Sequence, residues 1–141
     1  MWHFDVNWLA VIVATVASWA LGAVWYMVLS KQWLDAIGKT KEQIDGKDPT
    51  PYIWSVIAQL IMAYFLALLT PTIFGSANVV TGLLAGAHLW LGFVITSMIQ
   101  SHRYQGAKWS LTAIDGGYLL AVLLVQGLVI GLFGGPAAPA A

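Results

Sequence analysis

Four stretches of this chain, Trp8 to Leu29, Tyr52 to Ile73, Val79 to Ile99 and Trp109 to Phe133, are each long and apolar enough to cross a bilayer as one helix. Spanning ~30 Å of hydrocarbon takes about 20 mainly apolar residues. The stretches lack the period-two alternation of barrel strands, and a segment in lipid must satisfy its own backbone polar groups, so helix is the remaining form. The expected fold is an all-α membrane protein, four transmembrane helices in an up-down bundle, forming one domain over residues 1–133. Composition agrees: 60% of residues are hydrophobic and 9% charged, where a soluble domain carries roughly 25% charged residues. Net charge is zero and cysteine is absent, so neither nucleic-acid binding nor a disulfide framework is suggested.

Basic residues give the orientation, because Lys and Arg are retained on the cytoplasmic side in short loops. All 6 fall in two loops: Lys31, Lys39, Lys41 and Lys47 between the first and second spans, Arg103 and Lys108 between the third and fourth. Both termini are therefore expected outside. No basic leader or small-residue cleavage site marks a signal peptide, so the first span is expected to stay. Trp2, Trp8, Trp33, Tyr52, Trp54, Tyr104 and Trp109 fall near span ends, where amphipathic rings settle at the headgroups.

The loop from Lys31 to Pro51 is the sizeable soluble piece. Trp33, Leu34 and Ile37 share a helical face that suits a surface helix stopped by Gly38. Thr40-Lys41-Glu42-Gln43 fits a capping box for a second short helix, and Asp48-Pro49-Thr50-Pro51 predicts an extended lead-in to the second span. The plain alternative is a solvated connector of balanced charge. Residues 134–141, rich in Gly, Pro and Ala, read as a disordered tail.

Small or polar residues at four-residue spacing mark packing ridges. These are Ala10, Ala14, Ser18 and Gly22; Ser55, Gln59, Ala63 and Ala67; His88, Gly92, Thr96 and Gln100; and Gly127, Gly131 and Gly135. The ridges can simply pack the protomer. A surplus of such faces favours a homo-oligomer.

Asp115 is the only charged side chain inside the apolar stretches. A carboxylate at that depth costs a few kcal/mol and normally faces a bundle interior or a wet cavity. It lies ~9 Å below the boundary set by Trp109, level with Trp25, Tyr26, Gln59 and Thr96, all able to donate a hydrogen bond; Tyr118 stands one turn deeper on the same face. These donors could satisfy the carboxylate, or a dry site could leave it protonated. His88 lies ~20 Å deep, nearer Ser18 and Gln126, and reads either as a neutral core histidine or as a functional intramembrane group. His3 and His102 sit at opposite faces, so the three histidines are not expected to form one metal site within a protomer. No HExxH, CxxC, phosphate loop or nucleophile elbow is present, and no cofactor is implied. Asp115 has no second intramembrane carboxylate in its own chain, which argues against an aspartyl-type protease unless two chains supply the pair.

Asn7-Trp8-Leu9-Ala10-Val11, Gly22-Ala23-Val24-Trp25-Tyr26, Trp33 with Gly38, Trp90-Leu91-Gly92-Phe93 and Ile114-Asp115-Gly116-Gly117-Tyr118 together resemble the bacterial membrane family known as domain of unknown function 1761. The resemblance covers nearly the whole chain except the tail. It implies a small four-helix integral membrane protein of the bacterial inner membrane, emphasises Gly22, Trp25, Tyr26, Asp115, Gly117 and Tyr118, and brings no activity.

Two functional classes remain. In the first, an oligomeric transporter or channel binds a proton, a cation or a small ligand at Asp115, with Tyr118, Trp25, Tyr26, Gln59, Thr96 and His88 as further binding candidates. Small multidrug transporters offer an analogy of size, but they carry their glutamate in the first span, which this chain lacks. In the second, the chain is an accessory or structural subunit, in contact with membrane lipids, and Asp115 locks helices together. An enzyme is the weakest reading, since one acid without a nucleophile or metal set is little to build chemistry on.

Overall fold

The computed structural model describes residues 5–44 and 46–134. Helix α1 (Trp8–Val28) is followed by α2 (Ser30–Ile37), a 3-10 turn (Lys41–Gln43) and α3 (Thr50–Phe74). The third span is α4 (Val79–Leu89), a π turn (Trp90–Val94) and α5 (Ile95–Gln105) in one continuous rod, and α6 (Trp109–Phe133) is the fourth. Four helices are long and apolar enough to cross a membrane, and no strand occurs among the described residues.

Caps fix the helix starts. Asn7 accepts from the N–H groups of Leu9 and Ala10 at 3.1 and 3.3 Å, and Asn78 and Thr81 exchange side-chain bonds of 3.0 and 2.9 Å at the head of α4. Each side chain replaces an acceptor that the first turn cannot supply. Gly38, at φ 71°, ends α2 as the sequence suggests. The capping box at Thr40 forms, with Gln43 Oε1 accepting from the Thr40 N–H at 2.8 Å, but supports only a 3-10 turn. The lead-in to the second span is not extended, contrary to the expectation from its prolines. Pro49 adopts a right-handed conformation and Pro51 sits in the first turn of α3, where a missing N–H costs nothing.

Helices α1, α3, α4 and α6 pack round a ring, with α3 also against α6 across the short diagonal. Core residues Val11, Ala14, Ala63, Leu66, Ala85, Leu123 and Ile130 fill the interior. The tightest seam joins α4 to α6, where Gly82 and Gly127 meet backbone to backbone and Gly131 lies on Asn78. A Cβ on Gly86 would stand 2.7 Å from the Leu123 carbonyl oxygen, so no larger residue fits without displacing the helix. Three of the expected ridges face inward along the described residues. The third does not: His88, Gly92, Thr96 and Gln100 are exposed, because Gly82 and Gly86 offer a narrower seam to α6.

The π turn rotates the remainder of the third span about its axis. The Ile95 N–H reaches back five residues to the Trp90 carbonyl. Residues facing α6 therefore run Gly82, Gly86, Trp90 and then Ile95, Met98 and His102. Both basic loops lie at one end of the bundle, where Lys108 Nζ donates to the Asp35 carbonyl at 3.3 Å.

Candidate functional site

The carboxylate of Asp115 is half-buried near the basic end of the bundle. The Tyr26 hydroxyl donates to Oδ1 at 2.6 Å, a short bond between α1 and α6. On either side of Asp115, two indoles hold the backbone of α6. Trp25 Nε1 donates to the Ile114 carbonyl at 3.2 Å, and Trp90 Nε1 donates to the Gly116 carbonyl at 2.8 Å. Glycines make this approach possible. A Cβ on Gly117 would lie 3.2 Å from the Trp25 ring, and one on Gly116 would lie 2.8 Å from Ile95 Cδ1. The π turn has a matching role, because it starts at Trp90 and lets Ile95 follow that residue onto the same face of α6. Such turns recur at functional sites.

Tyr118 lies in a notch made by Gly22, where a Cβ would stand 2.8 Å from its ring. Its ring packs edge-on to Tyr26 with centroids 5.0 Å apart, and Trp33 of α2 packs edge-on to Tyr26 from the basic end at 5.9 Å. The Tyr118 hydroxyl accepts from Gln59 Nε2. From Gln59 a buried polar chain runs deeper. Gln59 Nε2 also donates to Ser55 Oγ at 3.2 Å, Ser18 Oγ donates to Gln59 Oε1 at 2.8 Å, and Gln126 Nε2 donates to Ser18 Oγ at 3.1 Å and to the Gln59 carbonyl at 2.9 Å. The chain knits α1, α3 and α6 together. Only Gln126 Oε1 is left buried without a partner in it.

The structure thus brings Tyr26 onto Asp115, sets Trp25 and Tyr118 beside it, and joins Gln59 to it one step removed, through Tyr118. Thr96 is not there. It is exposed, and its hydroxyl donates to the Gly92 carbonyl at 2.9 Å; equal depth says nothing about which way a side chain points. His88 is also apart, exposed, with Nδ1 2.7 Å from the Leu84 carbonyl and its ring 6.3 Å from Phe74. Ser18 and Gln126, matched to His88 by depth, bond instead to each other. Trp90 and Ser55 also belong to the site, and their only mark in the sequence is that Trp90 opens one of the motifs that carry the resemblance and Ser55 begins a packing ridge. Among the described residues no three His, Asp or Glu side chains come together as metal ligands.

The interlock of Gly22, Trp25 and Tyr26 with Asp115, Gly117 and Tyr118 is built from the residues that carry the resemblance. Residues 9–131 match the family described as "protein of unknown function (DUF1761)". The chain belongs to that family. Among curated proteins and solved structures, nothing matches it. For this DUF1761 chain the motif positions therefore have a physical meaning: they are where the first and last spans cross, indole to carbonyl and phenol to carboxylate.

Proposed function

We propose that the protein is a small proton- or cation-binding transporter or channel unit of the bacterial inner membrane, with the Asp115 carboxylate as its binding group. The observation carrying this reading is a half-filled hydrogen-bonding capacity. Oδ1 accepts from Tyr26, while Oδ2 has no partner among the described residues. A carboxylate used only as a brace offsets its desolvation when its remaining lone pairs are also satisfied. Gln59, by contrast, uses every atom of its amide. The open oxygen is the point at which a proton or cation binds. Tyr26, Tyr118 and Trp25 fix its surroundings, and Gln59 holds Tyr118 in place.

The interior is filled by Ser18, Leu66, Thr70, Val122 and Gln126, each at most 1% exposed, so in this reading a pathway runs between copies rather than through one bundle. The outward stripe of His88, Gly92, Thr96 and Gln100 supports a homo-oligomer, since small and polar residues are what pack transmembrane helices. Segregation of Lys and Arg puts the basic end in the cytoplasm and both termini outside. Single cysteines in this cysteine-free chain test that orientation: Ala77→Cys labelled from the cytoplasmic side would overturn it.

A second reading, an accessory or structural subunit, is favoured by the polar chain through Gln59, Ser18 and Gln126, which locks three helices. Asp115→Asn separates the two. A binding site keeps its fold with the amide but loses proton or cation flux in liposomes. Preserved flux in a folded mutant ends the transport reading; an absent wild-type flux with a lowered melting temperature for Asp115→Asn establishes the structural one.

A further inference from the structure

The last turn of α5 carries a cationic group held in place without an acidic partner. Arg103 stacks over the Trp109 ring, its guanidinium carbon 3.6 Å from the centroid. Nη2 donates to Thr112 Oγ1 at 2.9 Å, and His102 Nδ1 lies 2.7 Å from the same oxygen. Two contacts fix the plane of the guanidinium, yet neither is a carboxylate. Nε is buried without an acceptor, and Nη1 has no protein partner among the described residues. The remaining charged group between Arg103 and α6 is Lys108, exposed and one residue before Trp109. Asp115, six residues beyond Trp109 along α6, gives its bonded oxygen to Tyr26 rather than to Arg103.

A stacked, oriented guanidinium is a costly arrangement for a residue that could extend into water. It loses side-chain freedom and gains only a hydroxyl and a ring, unless its open Nη1 end, away from the buried Nε, has an anion to meet. The location supplies one. Trp109 and Tyr104, 61% and 89% exposed, place this turn at the level where aromatic rings meet headgroups. Planar guanidinium edges match phosphate oxygens pairwise, and the turn from residue 100 to residue 110 contains no Asp or Glu to compete.

We infer that Arg103, held by Trp109 and Thr112 and assisted by Lys108, binds the phosphate group of an anionic phospholipid at the basic end of the bundle. The same chemistry would accept free phosphate, and the test separates the two sources. The full-length protein is placed in nanodiscs of phosphatidylcholine with rising phosphatidylglycerol, and its melting temperature is followed. The wild type should be stabilised by phosphatidylglycerol, and Arg103→Gln should need about five-fold more of it for half the effect. Lys39→Gln, which removes one charge from the other loop, should leave the midpoint unchanged. Melting of Arg103→Gln in pure phosphatidylcholine, matched to wild type, establishes that the variant is folded; if it is not, Arg103→Lys, which keeps the charge but loses the planar stack, serves instead and should also need more phosphatidylglycerol. An unshifted midpoint in the folded variant, or an equal shift with Lys39→Gln, overturns the site. Equal stabilisation by inorganic phosphate in lipid-free detergent, dependent on Arg103, overturns the lipid as its source.

Discussion

The two buried glutamines offer a sharp test of the polar chain, because they look alike in sequence and differ in bonding. Gln59 makes three side-chain bonds, to Ser55, Tyr118 and Ser18, and leaves no amide atom unused. Gln126 makes two through Nε2 and leaves Oε1 buried with no partner. Hydrogen bonds between membrane helices average about 0.6 kcal/mol each, because the separated helices find other partners. Gln59→Leu should then cost about 2 kcal/mol, with the Tyr118 hydroxyl and Ser55 losing their donor. Gln126→Leu loses about 1 kcal/mol in two bonds but also removes an unpaired carbonyl, which by itself costs ~1–3 kcal/mol. Ser18 keeps its acceptor on Gln59, and the Gln59 carbonyl keeps its place in α3. The net change should lie between zero and a stabilisation of about 2 kcal/mol. Reversible unfolding in mixed micelles of a folding-compatible detergent and sodium dodecyl sulfate measures both variants against wild type. If Gln126→Leu is as destabilising as Gln59→Leu, Oε1 is engaged after all and the reasoning fails.

The seam and the loop give further expectations. Gly127→Leu should force α4 from α6 and cost about 1–3 kcal/mol or more in the same assay, whereas Gly92→Leu, with open space around it, should leave protomer unfolding within about 0.5 kcal/mol and lower any oligomer seen by native mass spectrometry; a destabilised Gly92→Leu protomer would contradict the outward placement. The Thr50 hydroxyl and N–H hold the Asp48 carboxyl below its usual range, so the added hold on the start of α3 is complete above the unfolded carboxyl value near about 3.9 and is lost as pH falls through the lower folded value. The Thr50 amide shift in a micelle NMR titration should report that low midpoint, and an ordinary aspartate midpoint would refute it.

Much of this architecture was legible because lipid leaves few choices. Twenty apolar residues between polar breaks can only be a helix, and consecutive spans must cross in alternate directions. Asp115 stood out for the same reason, and counting 1.5 Å per residue, roughly, placed it level with Tyr26, which bonds it. Depth is one coordinate of two, however. Thr96 has the right height and the wrong azimuth, and nothing in a four-residue ridge announces that Gly82 and Gly86 will displace His88 and Gly92 from the interface. Ser18, Gln59 and Gln126 were visible as polar residues in apolar runs; that they bond together depends on which helices are neighbours, information the pattern of one helix does not contain.

The π turn at Trp90–Val94 implies that the third span is one residue longer than its contacts require. Trp90 and Ile95, five apart, occupy consecutive places on the stripe facing α6, and Met98 and His102 continue it. Deleting a residue from a transmembrane helix ordinarily swings everything beyond it by about 100° and ruins its packing. Here the opposite holds: removal of Gly92 would let an ordinary α-helix carry Trp90, Ile95, Met98 and His102 onto the same side. The extra residue is a phase insertion that the bundle absorbs locally, and a shortened third span should fold as well as the full one.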